Sequence, residues 1–154
     1  MAKSREKKVQ KTYVDHGCGF PVTIFNAPMQ KLRGEWLLDL DYEVYEKAVL
    51  LLLAYKKSRL TGDEVRFIRN YFSYDLKSFA KRFGDVAHSA VIKWEKKAED
   101  FTKMSWSTEK DIRLSIIKEL KPRSIGVLYS ELEEPPTSKK AVLKVDFKDL
   151  RKAA

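Results

Sequence analysis

Residues 60–100 read LTGDEVRFIRNYFSYDLKSFAKRFGDVAHSAVIKWEKKAED. Three short apolar periodicities run through this stretch. Val65, Ile68 and Phe72 recur at helical spacing behind Thr61, a hydroxyl placed to cap a helix N-terminus. Leu76, Phe79, Ala80 and Phe83 repeat the pattern behind Asp75. Gly84 follows where a left-handed residue would end that helix. Ala87, Val91, Trp94 and Ala98 then share one face of a third helix, over 87–98. The segment predicts three short amphipathic helices joined by tight turns.

The third helix carries the chemistry. At about 100° per residue, His88, Ser89, Ile92, Lys93 and Lys96 fall opposite its apolar face. An ordinary solvated face mixes acids with bases, and this one has no acid. Short hydrogen-bonding groups lie near its N-terminal end, with lysines further along. That order suits a helix entering a DNA major groove by its N-terminal half. His88, Ser89, Ile92 and Lys93 are the candidate base-reading residues. Ile92 would meet a thymine methyl, or alternatively another protein, and His88 is equally an ordinary surface histidine. Lys96 and Lys97 would hold phosphate without reading sequence, as would Lys77, Lys81 and Arg82 on the second helix. Trp94 is expected in the core.

The charge distribution points the same way. The chain has 154 residues and a formal net charge of +9. Residues 56–97 hold eleven bases against five acids, and residues 1–11 hold five bases against one. The rest of the chain is close to neutral. Net charge alone indicates only an acidic partner, and a solvated surface with a loose tail would give the same sum. Localised in a three-helix unit and a basic arm, it reads as a nucleic-acid footprint.

Residues 64–97 resemble the helix-turn-helix of Xre/Cro-type regulators. The resemblance rests on Phe79-Ala80 in the second helix, Gly84 closing it, and Lys93-Trp94-Glu95 ending the third. It implies a structural ion pair between Arg69 and Glu95. It covers about a quarter of the chain. One departure stands out: Asp85 is inserted in the turn, which leaves Ala87, a poor cap, where Ser or Thr is usual. Together with a β-rich N-terminal segment and a linking helix, the stretch Leu60 to Arg69 is similar to MqsA-type antitoxin regulators. Those regulators often bind zinc through N-terminal cysteine pairs. This chain has Cys18 alone, so that site does not carry over. The resemblance implies repression of the protein's own promoter and a toxin protein as partner.

Outside this unit the reading is coarser. Residues 1–12 are lysine-rich and predict a disordered basic tail. Residues 13–58 predict a β-hairpin, broken at Asn26-Ala27-Pro28 and resuming around Gly34, then a helix from about Tyr42 to Lys57 capped by Asp39 or Asp41. The helix-turn-helix domain spans 59–122 and includes a helix from Thr108 to Leu120 ended by Pro122. Residues 123–154 predict two strands, Ser124 to Leu132 and Lys140 to Lys148, as a β-hairpin used for dimerisation. The fold class is α+β, mostly helical.

Several classes are disfavoured. The longest apolar run, Ala48 to Tyr55, is too short to span a bilayer. A single cysteine excludes a disulfide framework, and no secretory leader is visible, which points to the cytoplasm. His16 and Cys18 lack the further ligands of a metal site or the orienting group of a nucleophile pair. No phosphate-binding glycine loop occurs. No enzyme activity, cofactor or metal is expected. The expectation is a sequence-specific repressor, a homodimer on a palindromic double-stranded DNA operator, with a protein-binding antitoxin or adaptor as the alternative. RNA binding ranks below both, for want of an aromatic stacking platform.

Overall fold

The central strand is β2 (Val22–Leu32). On one side it pairs antiparallel with β1 (Lys7–Asp15), from Lys7↔Gln30 to Asp15↔Val22. On its other side two short strands divide its length. β3 (Glu35–Leu38) runs antiparallel to its end, and β4 (Lys144–Asp146) runs parallel to its beginning. The β2–β3 turn is Arg33-Gly34, with φ of +52° and +83°. Two successive positive φ values mark a type I′ turn, whose twist matches that of an antiparallel ribbon. The computed structural model describes the backbone of residues 5–153 and the side chains of residues 5–150.

Among the described residues the helices are α1 (Tyr42–Ala54), α2 (Gly62–Tyr71), α3 (Leu76–Arg82), α4 (His88–Lys96), α5 (Trp106–Leu120), α6 (Ile125–Glu131) and α7 (Phe147–Ala153), with a 3-10 turn at Pro122–Ser124. The architecture is α+β and mostly helical. α1 starts because the Asp41 carboxylate accepts from the Glu43 and Val44 N–H groups at 3.0 and 3.4 Å. It buries Tyr45, Val49, Leu50 and Leu53 against α5 and α7. α5 answers with Ile112, Ile116 and Ile117. Each such side chain contributes about 1.5–3 kcal/mol on burial, so this helix pair with β2 forms the hydrophobic centre.

A buried charge cluster joins this body to α2. Arg113, fully buried on α5, donates to Lys56 O and Ser58 O, both at 2.6 Å, and to Glu109 Oε2 at 2.9 Å. Glu109 also accepts from Arg59 Nε at 2.9 Å and Leu60 N at 3.2 Å. Lys56 reaches Glu64 of α2 at 2.6 and 2.9 Å. Together these contacts clamp the segment between α1 and α2, and so set the direction in which α2 leaves the body.

Five expectations are corrected. The basic tail is a strand from Lys7 onward, and residues 1–4 lie outside the described residues. Its lysines suit an edge strand: Lys8 Nζ sits 4.4 Å from the Trp36 ring centroid and Lys7 Nζ lies 3.5 Å from Asp39. Asp15, at its end, is buried and accepts from the Tyr45 hydroxyl at 2.8 Å. Second, Asn26-Ala27-Pro28 does not break β2; Asn26 takes φ +55° within the strand and donates to Asp146 at 3.1 Å. Third, α1 stops at Ala54, three residues before Lys57. Fourth, α4 is shorter than 87–98, because Ala87 is its cap and Ala98 turns to φ +51°. Fifth, the described residues form no C-terminal β-hairpin: residues 125–131 form α6, which buries Leu128 and is followed by buried Leu132 one turn on. The Lys140 to Lys148 strand shrinks to β4, which pairs with β2 inside the sheet and is not free to join two subunits as a hairpin.

Candidate nucleic-acid interface

α2, α3 and α4 pack as one unit in which each helix start has an identifiable cause. Thr61 and Glu64 form a capping box on α2: the Glu64 N–H donates to Thr61 Oγ1 at 3.3 Å and the Thr61 N–H to Glu64 Oε1 at 2.9 Å. Asp75 caps α3, accepting from the Ser78 N–H at 2.7 Å and its hydroxyl at 2.6 Å. These two hydrogen bonds, with help from Lys77 and Arg69, hold the Asp75 carboxyl below its ordinary range. The turn then runs from buried Phe83 through Gly84 (φ +85°) and Asp85 (φ +46°), and closes with the Val86 N–H donating to Ala80 O at 3.0 Å. Asp85 therefore lengthens the turn and makes no cap. Ala87 caps α4 without any side-chain bond, so the first N–H groups of α4 have no side-chain acceptor.

Ion pairs and backbone contacts fix α4 on α2. Arg69 Nε donates to Glu95 Oε1 at 2.9 Å while its Nη1 donates to Tyr74 O at 3.0 Å, so one guanidinium ties α2 to α4 and to the α2–α3 turn. Arg66 approaches the same Glu95 oxygen at 3.8 Å. Val91 is fully buried. Gly62 meets the C-terminal end of α4 backbone to backbone: a Cβ there would strike the Trp94 carbonyl oxygen and lie 2.7 Å from Ala98 N and 2.8 Å from Glu95 O. The Gly62 and Asp63 N–H groups donate to Asp100 O and Ala98 O at 3.2 and 2.9 Å. The positive end of α2 thus rests on carbonyls that follow α4.

This packing decides what α4 shows to solvent. Glu95 is the sole acid of the helix, and it is turned inward onto Arg69. His88, Ser89, Lys93 and Lys96 are exposed, Lys97 follows exposed at the C-cap, and Ile92 is half-buried. Trp94 is half-buried too, packed on the core edge and not within it as expected. On α3, Lys77 and Lys81 are exposed. Arg82 is not free with them: its Nη1 donates to Asp111 of α5 at 2.8 Å and its guanidinium stands 4.4 Å from the Phe83 ring centroid. That tie holds α3 to the body and weakens the case for Arg82 as a phosphate ligand.

Other candidates are structural. Burial, then the charges of Asp15 and Glu46, push the Cys18 thiol up to about 12, which keeps it protonated and unreactive at neutral pH. Among the described residues no cluster of three or more His, Cys, Asp or Glu side chains could hold a metal ion. No described helix is long and apolar enough to cross a membrane. The charge cluster around Arg113 escaped the sequence reading. Its one local signal was Glu109 and Arg113 at i, i+4 on the face that also carries Ile112 and Ile116. No family model, curated protein or solved structure matches the chain.

Proposed function

We propose that the protein is a sequence-specific DNA-binding regulator of transcription, a repressor that places α4 in the major groove. The observation that carries this reading is the acid-free outer face of α4, produced by turning Glu95 inward onto Arg69. With side chains an α-helix is about 10–12 Å across, which fits a major groove about 12 Å wide, and the nine residues of α4 give about 13 Å of length to lie along it. His88, Ser89 and Lys93 would face base edges, with Ile92 beside them. Lys77, Lys81, Lys96 and Lys97 would hold flanking phosphates. One such helix reads few base pairs, so the protein would act as a homodimer on a palindromic operator.

Selection of bound sequences from random duplex DNA tests this directly. Enrichment of a palindrome is expected, and recovery of no preferred sequence would refute the reading. A protein-binding antitoxin or adaptor role is the second reading. It is favoured by apolar side chains left exposed on α6, with Val127 62% and Tyr129 56% accessible. The two roles are compatible in one chain, α4 serving DNA and α6 serving a toxin protein.

A further inference from the structure

A cleft of about 620 Å³ opens where the sheet, the start of α2, the residues following α4 and the segment before β4 meet. That size lies within the range of small-molecule sites. Its walls differ in character. Val14 and Phe20 from the sheet side and Val142 and Leu143 from the C-terminal segment are apolar. Asp63 and Glu99 lie on the helical side, brought to one wall because the Asp63 N–H donates to Ala98 O at 2.9 Å.

The charge of this cleft runs against the molecule. The chain is +9 overall. Of the charged groups lining the cleft, Lys56 and Glu64 satisfy each other at 2.6 and 2.9 Å. Asp63 and Glu99 make no ion pair among the described residues, and Lys140 stands alone against them. The surplus is one negative charge beside an apolar wall.

We infer that this cleft is a binding site for a small organic cation with an apolar body, a primary ammonium attached to an aromatic or branched aliphatic group. The ammonium would take hydrogen bonds to Asp63 and Glu99, and the body would cover Phe20 and Val142. An ammonium is a donor only, and Asp63 and Glu99 are acceptors with no ion-pair partner among the described residues. A ligand seated there would touch the sheet, the C-terminal segment and the α2–α4 junction at once. The site stands on the cleft alone and does not depend on DNA recognition.

The test titrates the full chain with phenethylammonium, and with phenethyl alcohol and hydrocinnamate as neutral and anionic counterparts of similar shape, while following backbone amide shifts. Phenethylammonium should shift the amides of Phe20, Asp63, Glu99 and Val142 saturably. The other two should bind about tenfold more weakly, as expected when a charge-assisted hydrogen bond is lost. The variant carrying Asp63→Asn with Glu99→Gln should lose the preference for the ammonium while still binding the alcohol, a result that separates the carboxylates' role from loss of fold. Absence of a saturable shift with phenethylammonium, equal affinity for all three probes, or an undiminished preference in the double variant would overturn the assignment.

Discussion

Replacing Arg113 by Met removes a cation of zero exposure while keeping most of its volume. Four consequences follow from its contacts. The carbonyls of Lys56 and Ser58 each lose a donor at 2.6 Å. Glu109 loses its 2.9 Å partner but keeps Arg59 Nε at 2.9 Å and Leu60 N at 3.2 Å, so its charge is not stranded. The desolvation that lowers the Arg113 guanidinium's proton affinity is relieved, which offsets part of the loss. The segment between α1 and α2 loses its clamp. The two buried carbonyls left without donors cost about 1–3 kcal/mol each, and with the lost clamp and the relieved desolvation the net is about 3–5 kcal/mol. For a chain of this size each kcal/mol moves Tm by about 2–4 °C, so a fall of roughly 6–20 °C is expected by differential scanning calorimetry. Arg113→Met combined with Glu109→Leu should lose less than the sum of the single changes, by about 1 kcal/mol or more, because the pair is removed together. A Tm within about 2 °C of the parent for Arg113→Met would show that the cluster does not hold the two parts of the fold together, and the energetic argument would fail.

Gly62→Ala forces backbone apart at the α2–α4 junction and should destabilise by about 1–3 kcal/mol, read from urea unfolding; a neutral result would mean the two helices can slide. With four phosphate-holding lysines per protomer, the slope of log K against log salt should be about −7 for a dimer, and Lys96→Ala should reduce it by about 2; an unchanged slope removes Lys96 from the interface. Cys18, pushed up to about 12 from an ordinary 9.0, should react with iodoacetamide at pH 8 far more slowly than a free thiol. Because its folded value is raised, its contribution to stability is complete below pH 9 and declines as the pH rises toward 12, which pH-dependent urea titration would detect. Deleting residues 1–11 removes four of the eight β1–β2 pairs and should lower the melting temperature whether or not DNA is present; an unaltered melt would mean β1 contributes nothing to the fold.

The legible parts of this fold are those whose causes lie within a few residues. Thr61, Asp75 and Gly84 announce the starts and stop of α2 and α3, and the apolar spacing between them supplies the rest. β1 could not be read the same way. Its lysines and glutamine form no core, and it is ordered by pairing with β2 and by the buried Asp15–Tyr45 bond, both non-local. α6 was misread because Ile125 and Val127 have β-branched side chains, whereas the burial of Leu128 and Leu132 has helical spacing. β4 alternates as a strand should, but its parallel partner lies some 120 residues earlier, which no local pattern shows. In the candidate interface, the face of α4 is written in its own wheel, while the diversion of Arg82 depends on Asp111, 29 residues away.

The acids of residues 56–97 explain why the local charge has a direction. Glu64 is used by Lys56 and the α2 cap, Asp75 by the α3 cap, and Glu95 by Arg69. Asp63 faces the cleft. Asp75, at the α3 cap, and Asp85, in the turn before α4, remain on the exposed side. The bases divide differently. Lys56, Arg59 and Arg69 go inward to carboxylates, while Lys77, Lys81, Lys93, Lys96 and Lys97 stay outside. Folding thus turns Glu64 and Glu95 into buried pairs and leaves five exposed lysines on α3 and α4 against two exposed acids, Asp75 and Asp85. The two acids turned inward, Glu64 and Glu95, hold the α2–α4 unit to the body and to itself through Lys56 and Arg69. The same interactions that make the three helices stable are therefore the ones that make their outer face positive.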